Sequence, residues 1–204
     1  MAKKTKSSRR WLERQKRDPY VQAAAKNELG SRAHFKIKQM DERFSLLRSG
    51  MRALELGAAP GGWTRYLQSR VQQVIAADLR PMQVPPGAIF LQCDITSEEF
   101  LTKMEEIVAE KPVDLVLSDM APNISGVRAA DQAGTMYLVE LATDAARRWL
   151  KPGGHLVVKM FQGEGVDQWV SDLKPEFRRV TLAKPAASRP DSREIYGIAM
   201  HARF

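Results

Sequence analysis

Short apolar runs recur along the chain between longer stretches of mixed polarity. Five of them, rich in Val, Ile, Leu and Ala, are in chain order RALEL, QQVIAADL, AIFLQCD, VDLVLSDM and GHLVVKMF. Near-continuous apolar runs of this length are typical of strands that are buried on both faces of a parallel sheet. We therefore interpret these runs as strands of one sheet.

Apolar positions with helical spacing fill the segments between these runs. The pattern is clearest in SEEFLTKMEEIVAE and AGTMYLVELATDAARRWL, and a further helix is predicted near VDQWVSDL. Another helix is predicted after Ser31, which can cap its first turn. Its apolar positions are Phe35, Ile37, Met40, Phe44 and Leu47.

Strands that alternate with helices predict an α/β fold, in which helices cover both faces of a mostly parallel sheet. The end of the chain differs, because the predicted strands FRRVTL and IYGIAMH are separated only by AKPAASRPDSRE. That connection is too irregular for a crossover helix, so we expect the last strand to run antiparallel. A chain of 204 residues suffices for one domain, which we assign to residues 19–204.

The net charge of +8 is concentrated at the start of the chain. Residues 1–38 contain 12 Lys or Arg and 3 Asp or Glu, a net of +9, whereas the remaining 166 residues sum to −1. We interpret residues 1–18 as a flexible basic arm. Since the basic segment continues into the predicted helix, we expect it to bind the phosphates of a polyanion. Candidate phosphate-binding residues are Arg32, Lys38, Lys184 and Arg189.

Several classes of protein are disfavoured. No apolar run approaches the length of a membrane span, and no hydrophobic segment follows the basic N-terminal residues as in a secretory signal. The single cysteine, Cys93, cannot form a disulfide within the chain, which fits a reducing, cytoplasmic location. His34, His155 and His201 are scattered, so we predict no metal site. No obvious dimer face is present, and we expect a monomer.

The loop after the first strand, GAAPGGW, contains three glycines. Gly57 would permit the tight turn out of the strand, and Gly61 and Gly62 would let the backbone approach a ligand. The loop lacks both the G-x-G-x-x-G spacing of dinucleotide-binding proteins and the Gly-Lys-Ser/Thr of a P-loop. A pyrophosphate is therefore not the expected ligand.

Four of the first five predicted strands end in or near an acid, namely Glu55, Asp78, Asp94 and Asp119, whereas the fifth ends in Lys159. Open α/β sheets bind ligands at this edge, where an acid about 20 residues after the glycine loop accepts ribose hydroxyls. Asp78 has that spacing, and Asp94 could accept a hydrogen bond from an exocyclic amine such as that of adenine. The residues leave S-adenosylmethionine and a nucleotide as alternatives.

Sequence motifs over nearly the whole chain decide between them. The motifs SRAHFKIKQMDE, LGAAPGGW, DLVLSDMAPNISG, HLVVKMFQGEG and SREIY, in this order along the chain, resemble those of the FtsJ/RrmJ family of ribose 2′-O-methyltransferases. The resemblance implies a Rossmann-like, seven-stranded sheet with a reversed last strand, and S-adenosylmethionine as the cofactor. It also suggests a specific substrate, a uridine ribose in the A-loop of 23S rRNA on the large ribosomal subunit.

The resemblance also implies roles for individual residues. The catalytic K-D-K-E set of the family matches Lys36, Asp119, Lys159 and Glu194. The cofactor-binding positions match Gly61, Trp63, Asp78, Asp94 and Asp119. Trp63 could equally be a core residue, and Lys36 an ordinary phosphate contact. His34 and Cys93 depart from the family pattern, where Trp and Gly are common; neither position is catalytic, so little effect is expected.

We take Lys159 as the candidate general base for the ribose hydroxyl, oriented by Asp119 and Glu194, while Lys36 offsets their charge. Three alternatives remain at this point. The chain could act on the tRNA anticodon loop, could be a non-enzymatic RNA-binding factor for ribosome assembly, or could methylate a small molecule. The intact K-D-K-E set argues against the second, and the basic arm argues against the third.

Overall fold

The seven strands follow the order that the apolar pattern predicts. The computed structural model describes residues 18–26, 29, 31–109 and 111–204. The strands are β1 (Arg52–Leu56), β2 (Gln73–Asp78), β3 (Ile89–Gln92), β4 (Val113–Ser118), β5 (Leu150–Phe161), β6 (Phe177–Ala183) and β7 (Glu194–Ala202). The helices are α1 (Pro19–Lys26), α2 (Ala33–Phe44), α3 (Gly62–Gln68), α4 (Glu98–Val108), α5 (Arg128–Trp149) and α6 (Val166–Leu173). The predicted basic arm, apart from its last residue, lies outside the described residues.

The strands form one seven-stranded sheet in the order β3-β2-β1-β4-β5-β7-β6. Strands β1 to β5 are parallel to one another, and β7 is antiparallel to both of its neighbours, β5 and β6. The predicted α/β class and the reversed last strand are therefore confirmed. Strand order reverses direction at β1, which lies between β2 and β4, and this switch point is where open α/β sheets bind ligands.

Two apolar clusters cover the two faces of the sheet. On one face, Leu54 of β1 belongs to a cluster with Phe100 of α4 and Trp149 of α5. On the other face, Ala53 belongs to a cluster that contains Ile37 of α2 and Trp63 of α3. All five residues of β1 are buried, because helices pack above and below it and strands pair on both sides. The loop that leaves β1 therefore starts from a fixed position.

Two local predictions differ in detail from the structure. The segment KPGG, expected as a turn before the fifth strand, lies inside β5 as an irregularity: Val113 pairs with Leu150, and the next aligned pair is Leu115 with His155. Helix α2 begins at Ala33 rather than directly after Ser31, and the Ser31 Oγ accepts a hydrogen bond from the Ala33 N–H at 3.2 Å. In the described part of the chain, no helix is both long and apolar enough to cross a bilayer.

Candidate active site

A cavity of about 730 Å³ opens at the carboxyl ends of the parallel strands. Its walls come from the ends of β1 to β5 and from one side of α5. Of the residues predicted to form the site, Asp78, Asp94, Asp119 and Lys159 line it. Gly61 and Trp63 are not among the lining residues. Three acids from the ends of three strands and one lysine from a fourth strand therefore face the same cavity.

The glycine loop forms one wall of this cavity. Gly57 has a φ of +78°, and a Cβ there would lie 2.7 Å from the Met120 Cγ, so this position requires glycine both for its conformation and for close packing on the end of β4. The N–H groups of Gly57 and Ala58 both donate to the Ala77 carbonyl oxygen, at 2.9 and 3.1 Å. These contacts fix the loop against β2 and β4.

Gly62 has a different role from the one expected. A Cβ at Gly62 would lie 2.4 Å from the Ser31 Oγ and 3.3 Å from the His34 nitrogen. The close approach at Gly62 is thus to the start of α2 rather than to a ligand. Trp63, the next residue, is 1% exposed, and its indole Nε1 donates to the Ala33 carbonyl oxygen at 2.8 Å. Both residues attach α3 to α2 behind the cavity.

Two of the predicted acids are oriented by the backbone beside them. The Asp78 carboxylate accepts hydrogen bonds from the N–H groups of Ala59, at 2.8 Å, and Arg80, at 2.8 Å. It therefore connects the end of β2 to the glycine loop. The Asp94 Oδ1 accepts from both the N–H and the hydroxyl of Thr96, at 2.8 and 2.7 Å. These bonds lower the Asp94 pKa below its usual value, so the carboxylate is charged at neutral pH.

Two lysine–carboxylate pairs lie near β5 and β7; one lines the large cavity and the other lies outside its lining. Lys159 Nζ lies 3.2 Å from Asp119 Oδ1 and also donates to the Asp119 carbonyl oxygen. Lys36 Nζ lies 2.7 Å from Glu194 Oε1 and 2.8 Å from Oε2. The four side chains are 9 to 18% exposed, so both pairs are largely removed from water. The structure thus brings all members of the predicted catalytic set together as two ion pairs.

Tyr196 connects the two pairs and was not predicted as a site residue. Its hydroxyl donates to Asp119 Oδ1 at 2.7 Å, and Lys36 Nζ lies 5.8 Å from the centre of its ring. Burial, reinforced by the negative charges of Asp119 and Glu194, raises the Tyr196 pKa well above its usual value, so the phenol remains a proton donor. The sequence could have indicated this role for Tyr196. Side chains alternate along a strand, so Tyr196, two residues after Glu194, lies on the same face of the strand as Glu194.

The antiparallel direction of β7 explains how these residues meet. In the β5–β7 register, Lys159 pairs with Tyr196 and Phe161 pairs with Glu194. Because β7 runs against β5, the first residues of β7 lie beside the last residues of β5. Ser188, in the loop before β7, also holds Glu194 in place, because its hydroxyl donates to Glu194 Oε1 at 2.7 Å.

The charge state of Asp119 is set by opposing influences. Burial favours the neutral acid, but the charges of Lys159 and Lys36, with the hydrogen bonds from Tyr196 and Lys159, outweigh it and hold the Asp119 pKa below its usual value. Asp119 is therefore a carboxylate at neutral pH. Anions of this kind can attract a cationic ligand and orient a neighbouring lysine.

Glu55, the fourth acid at the strand ends, does not line the cavity. It is 1% exposed, and its Oε2 accepts a hydrogen bond from the Thr64 hydroxyl at 2.7 Å. Burial raises the Glu55 pKa to about 8, against a smaller lowering by Thr64. Glu55 is therefore mostly a neutral acid at pH 7, and it connects the end of β1 to α3 across the glycine loop.

Of the residues expected to contact phosphates, two line a cavity and two do not. Arg32 and Arg189 line a second cavity of about 300 Å³ next to the Lys36–Glu194 pair. Lys184 instead donates to the carbonyl oxygens of Pro190 and Ser192, at 3.3 and 2.6 Å, and so supports the loop before β7. Lys38 lies 3.8 Å from Glu42 on the exposed side of α2.

The histidines and Cys93 were considered as metal ligands or as departures from the family pattern. His34 packs edge-on against Tyr66, with ring centres 5.1 Å apart, and His155 packs in the same way against His201 at 4.9 Å. Within the described ranges, no three His, Cys, Asp or Glu side chains converge as metal ligands would. Cys93 lines the large cavity, and burial raises its thiol pKa. The departure from the family pattern at Cys93 therefore lies within the candidate site itself.

Comparison with known proteins gives consistent results. A family model described as FtsJ-like methyltransferase matches residues 29–202. The chain is 46% identical to the ribosomal RNA large subunit methyltransferase E of Stutzerimonas stutzeri, over 97% of both chains. It is 46% identical to the protein of that name from Coxiella burnetii, over 94% of both chains. Its structure superposes on that of a ribosomal RNA methyltransferase from Plasmodium falciparum with a TM-score of 0.76 and 26% identity, covering 85% of this chain and 98% of that one.

Proposed function

Since the chain belongs to the FtsJ-like methyltransferase family, we propose that it transfers a methyl group from S-adenosylmethionine to the 2′-hydroxyl of a uridine ribose in the A-loop of 23S rRNA. One observation carries the proposal: Lys159 and Asp119 lie both in the wall of the large cavity and in contact with each other. The names of the relatives support a large-subunit rRNA substrate. We also propose that the protein acts as a monomer in the cytoplasm.

The cavity fits S-adenosylmethionine in both chemistry and size. Its volume, about 730 Å³, lies within the range of small-molecule sites. Leu79 and Tyr137 line it and are 68% and 55% exposed, so apolar surface is left for a ligand to cover. Asp78 and Asp94 supply carboxylates for hydroxyl and amine groups, and Asp119 supplies a largely buried anion for a cationic one. A ligand that combines a nucleoside with a sulfonium and an amino group matches this set.

Asp78, Asp94 and Asp119 are the proposed direct cofactor contacts. We propose that Gly61 and Trp63 do not contact the cofactor directly but hold the glycine loop in position. Gly61, at φ +94°, is the N-cap of α3, and Trp63 binds the start of α2. When bound, S-adenosylmethionine supplies an electrophilic methyl group.

Lys159 is the proposed general base. As a free amine, its Nζ can accept the proton of the ribose hydroxyl, and a positioned base of this kind typically contributes about 10²–10⁴-fold in rate. Asp119 orients this amine by contacts through both its carboxylate and its carbonyl oxygen. Lys36, paired with Glu194, places a second cation beside the site, where it can stabilise the negative charge that develops on the 2′-oxygen. Orientation of the reacting groups supplies much of the remaining rate.

The test is transfer of tritium from labelled S-adenosylmethionine. Purified large ribosomal subunits, free 23S rRNA and bulk tRNA from cells lacking the protein would be offered separately, and the label mapped. We expect label on one uridine ribose of the large subunit. Label on tRNA alone would retain the chemistry and reject the proposed substrate. Absence of label on all substrates, with S-adenosylmethionine still bound, would reject the enzyme proposal in favour of an RNA-binding factor.

A further inference from the structure

The second cavity is lined by three basic residues from two parts of the chain, together with Ser192 and the acids Asp191 and Glu194. Arg32 and Lys36 come from the start of α2, one helical turn apart, so their side chains point to the same side. Arg189 comes from the loop between β6 and β7. Three cations and two acids therefore line this cavity, and one of the cations, Lys36, is paired with Glu194.

A single carboxylate oxygen lies between the two arginines. Arg32 Nη1 binds Asp18 Oδ2, and the Arg189 Nε lies 3.7 Å from the same oxygen. Arg32 Nη2 also donates to the carbonyl oxygen of Ala187, which fixes the plane of the guanidinium group. The side chains of Asp18, Arg32 and Arg189 are 10%, 17% and 29% exposed. The Asp18 carboxylate is therefore the most covered of the three groups, and it lies beside two residues that line the cavity.

The two oxygens of Asp18 serve different purposes. Oδ1 accepts hydrogen bonds from the N–H groups of Tyr20 and Val21, at 3.0 and 3.4 Å, and so caps α1. Oδ2 faces the arginines. Asparagine caps helices about as well as aspartate, so capping requires only Oδ1 and does not explain the negative charge.

Arginine binds carboxylate and phosphate with the same planar arrangement of donors. Arg32 and Arg189 line one cavity with Lys36 and Glu194, two members of the proposed catalytic set, so an RNA bound at that set would have a backbone phosphate near both arginines. We propose that Arg32 and Arg189 form a binding site for one RNA backbone phosphate, and that the Asp18 carboxylate occupies this site in the free protein. The inference rests on the proposed function in taking RNA as the ligand and in placing its ribose at the proposed catalytic set.

This arrangement has a measurable consequence, because the phosphate must displace Asp18 before it binds. Breaking a partly exposed ion pair offsets part of the affinity. Removal of the Asp18 charge, with the cap retained, should therefore strengthen RNA binding. A network that only fixes α1 to the loop predicts the reverse, since its loss would loosen the surface that RNA contacts.

The test compares Asp18→Asn with Asp144→Asn. Asp144 is a charge-matched control, since it also pairs with an arginine, Arg147, at 3.1 Å, but lies on α5 on the opposite face of the sheet. Equilibrium binding of large ribosomal subunits and of a short single-stranded RNA would be measured, alongside methyl transfer. We expect Asp18→Asn to bind both RNAs roughly two- to fivefold more tightly than Asp144→Asn. This factor corresponds to the free energy of a partly exposed ion pair. Equal or weaker binding would overturn the proposal.

A second variant keeps the test decisive if Asp18→Asn is poorly folded. Arg189→Gln should weaken RNA binding and reduce the slope of log affinity against log salt by about 0.7, the share of one phosphate on a single strand. In the Arg189→Gln background, the gain from Asp18→Asn should largely disappear. Wild-type affinity and salt slope in Arg189→Gln would refute the phosphate site. Failure of methyl transfer with the expected binding changes would refute only the proposed function.

Discussion

Two acidic side chains at neighbouring strand ends have opposite charge states. Glu55 lies on β1 and Asp119 directly follows β4, and the two strands are joined there by the Asp119 N–H, which donates to the Leu56 carbonyl oxygen at 3.1 Å. Burial raises the Glu55 pKa to about 8. Burial acts on Asp119 in the same direction, yet two lysines and the Tyr196 hydroxyl hold its pKa below the usual value.

The comparison shows that nearby lysines, and not the position at a strand end, determine whether each acid is charged at neutral pH. Glu55 has the Thr64 hydroxyl as its hydrogen-bond partner and serves as a neutral connection behind the glycine loop. Asp119 has Lys159 within 3.2 Å and serves as a charged partner for the proposed base. Three substitutions test this contrast.

Replacement of Lys159 by Met should have the largest effect, because it removes both the proposed base and the nearest cation of Asp119. We expect the methyl-transfer rate to fall by about 10²–10⁴-fold, measured in single turnover with saturating enzyme on large subunits. Lys151→Met is the matched control, since Lys151 lies at the other end of β5, where it pairs with Asp114 and is 44% exposed. Full activity in Lys159→Met, with normal RNA binding, would rule out Lys159 as the base.

Replacement of Glu55 by Gln should change the pH dependence of stability. The wild-type pKa is higher in the folded state, about 8, than its ordinary value of 4.5, so the folded protein retains a proton that the unfolded chain releases. The stability contributed by this proton is complete below pH 4.5 and is lost as the pH rises through 8. Between pH 5.5 and 7.5, the wild type should lose on the order of 2 kcal/mol relative to Glu55→Gln.

Urea denaturation of both proteins at the two pH values measures this difference directly, because contributions from other titrating groups cancel. A constant gap between the two proteins across this range would mean that Glu55 is ionised in the fold, as Asp119 is.

Replacement of Tyr196 by Phe should have the smallest of the three effects. The change removes one hydrogen bond to the Asp119 carboxylate and should lower the rate by about tenfold, near the lower end for a bond to a charged group. Because that bond lowers the Asp119 pKa, its loss should shift the acidic limb of the pH–rate profile to higher pH. An unshifted limb would indicate that Asp119 does not control that limb.

The sequence predicted the parts of the fold that depend on local pattern. Strands β1 to β5 were identified because their apolar runs are buried on both faces, and α4 and α5 because their apolar positions repeat with helical spacing. Helix α1 was not predicted, since it has eight residues and buries one of them, Ala24, a stretch too short to show a helical repeat. The insertion of β7 between β5 and β6 depends on long-range pairing, which the residues of β7 do not encode locally.

The site was predicted in its residue types but not in its contacts. The K-D-K-E residues were named from motifs, and the structure adds that they form two ion pairs connected by Tyr196. The close approach at Gly62 was assigned to a ligand, because a glycine in a loop does not reveal which neighbour excludes a side chain. The neutral state of Glu55 could not be foreseen, since it follows from complete burial away from lysines.

The late position of β7 in the chain also affects the order in which the site is completed during synthesis. The Lys36–Glu194 pair joins residues 158 positions apart, and contacts this distant in sequence form late because a long loop must first be closed. Strands β1 to β5, which carry the wall of the large cavity, are synthesised before Glu194 and Tyr196. The proposed catalytic set is therefore completed last, when β7 pairs with β5 and Glu194 meets Lys36 of α2.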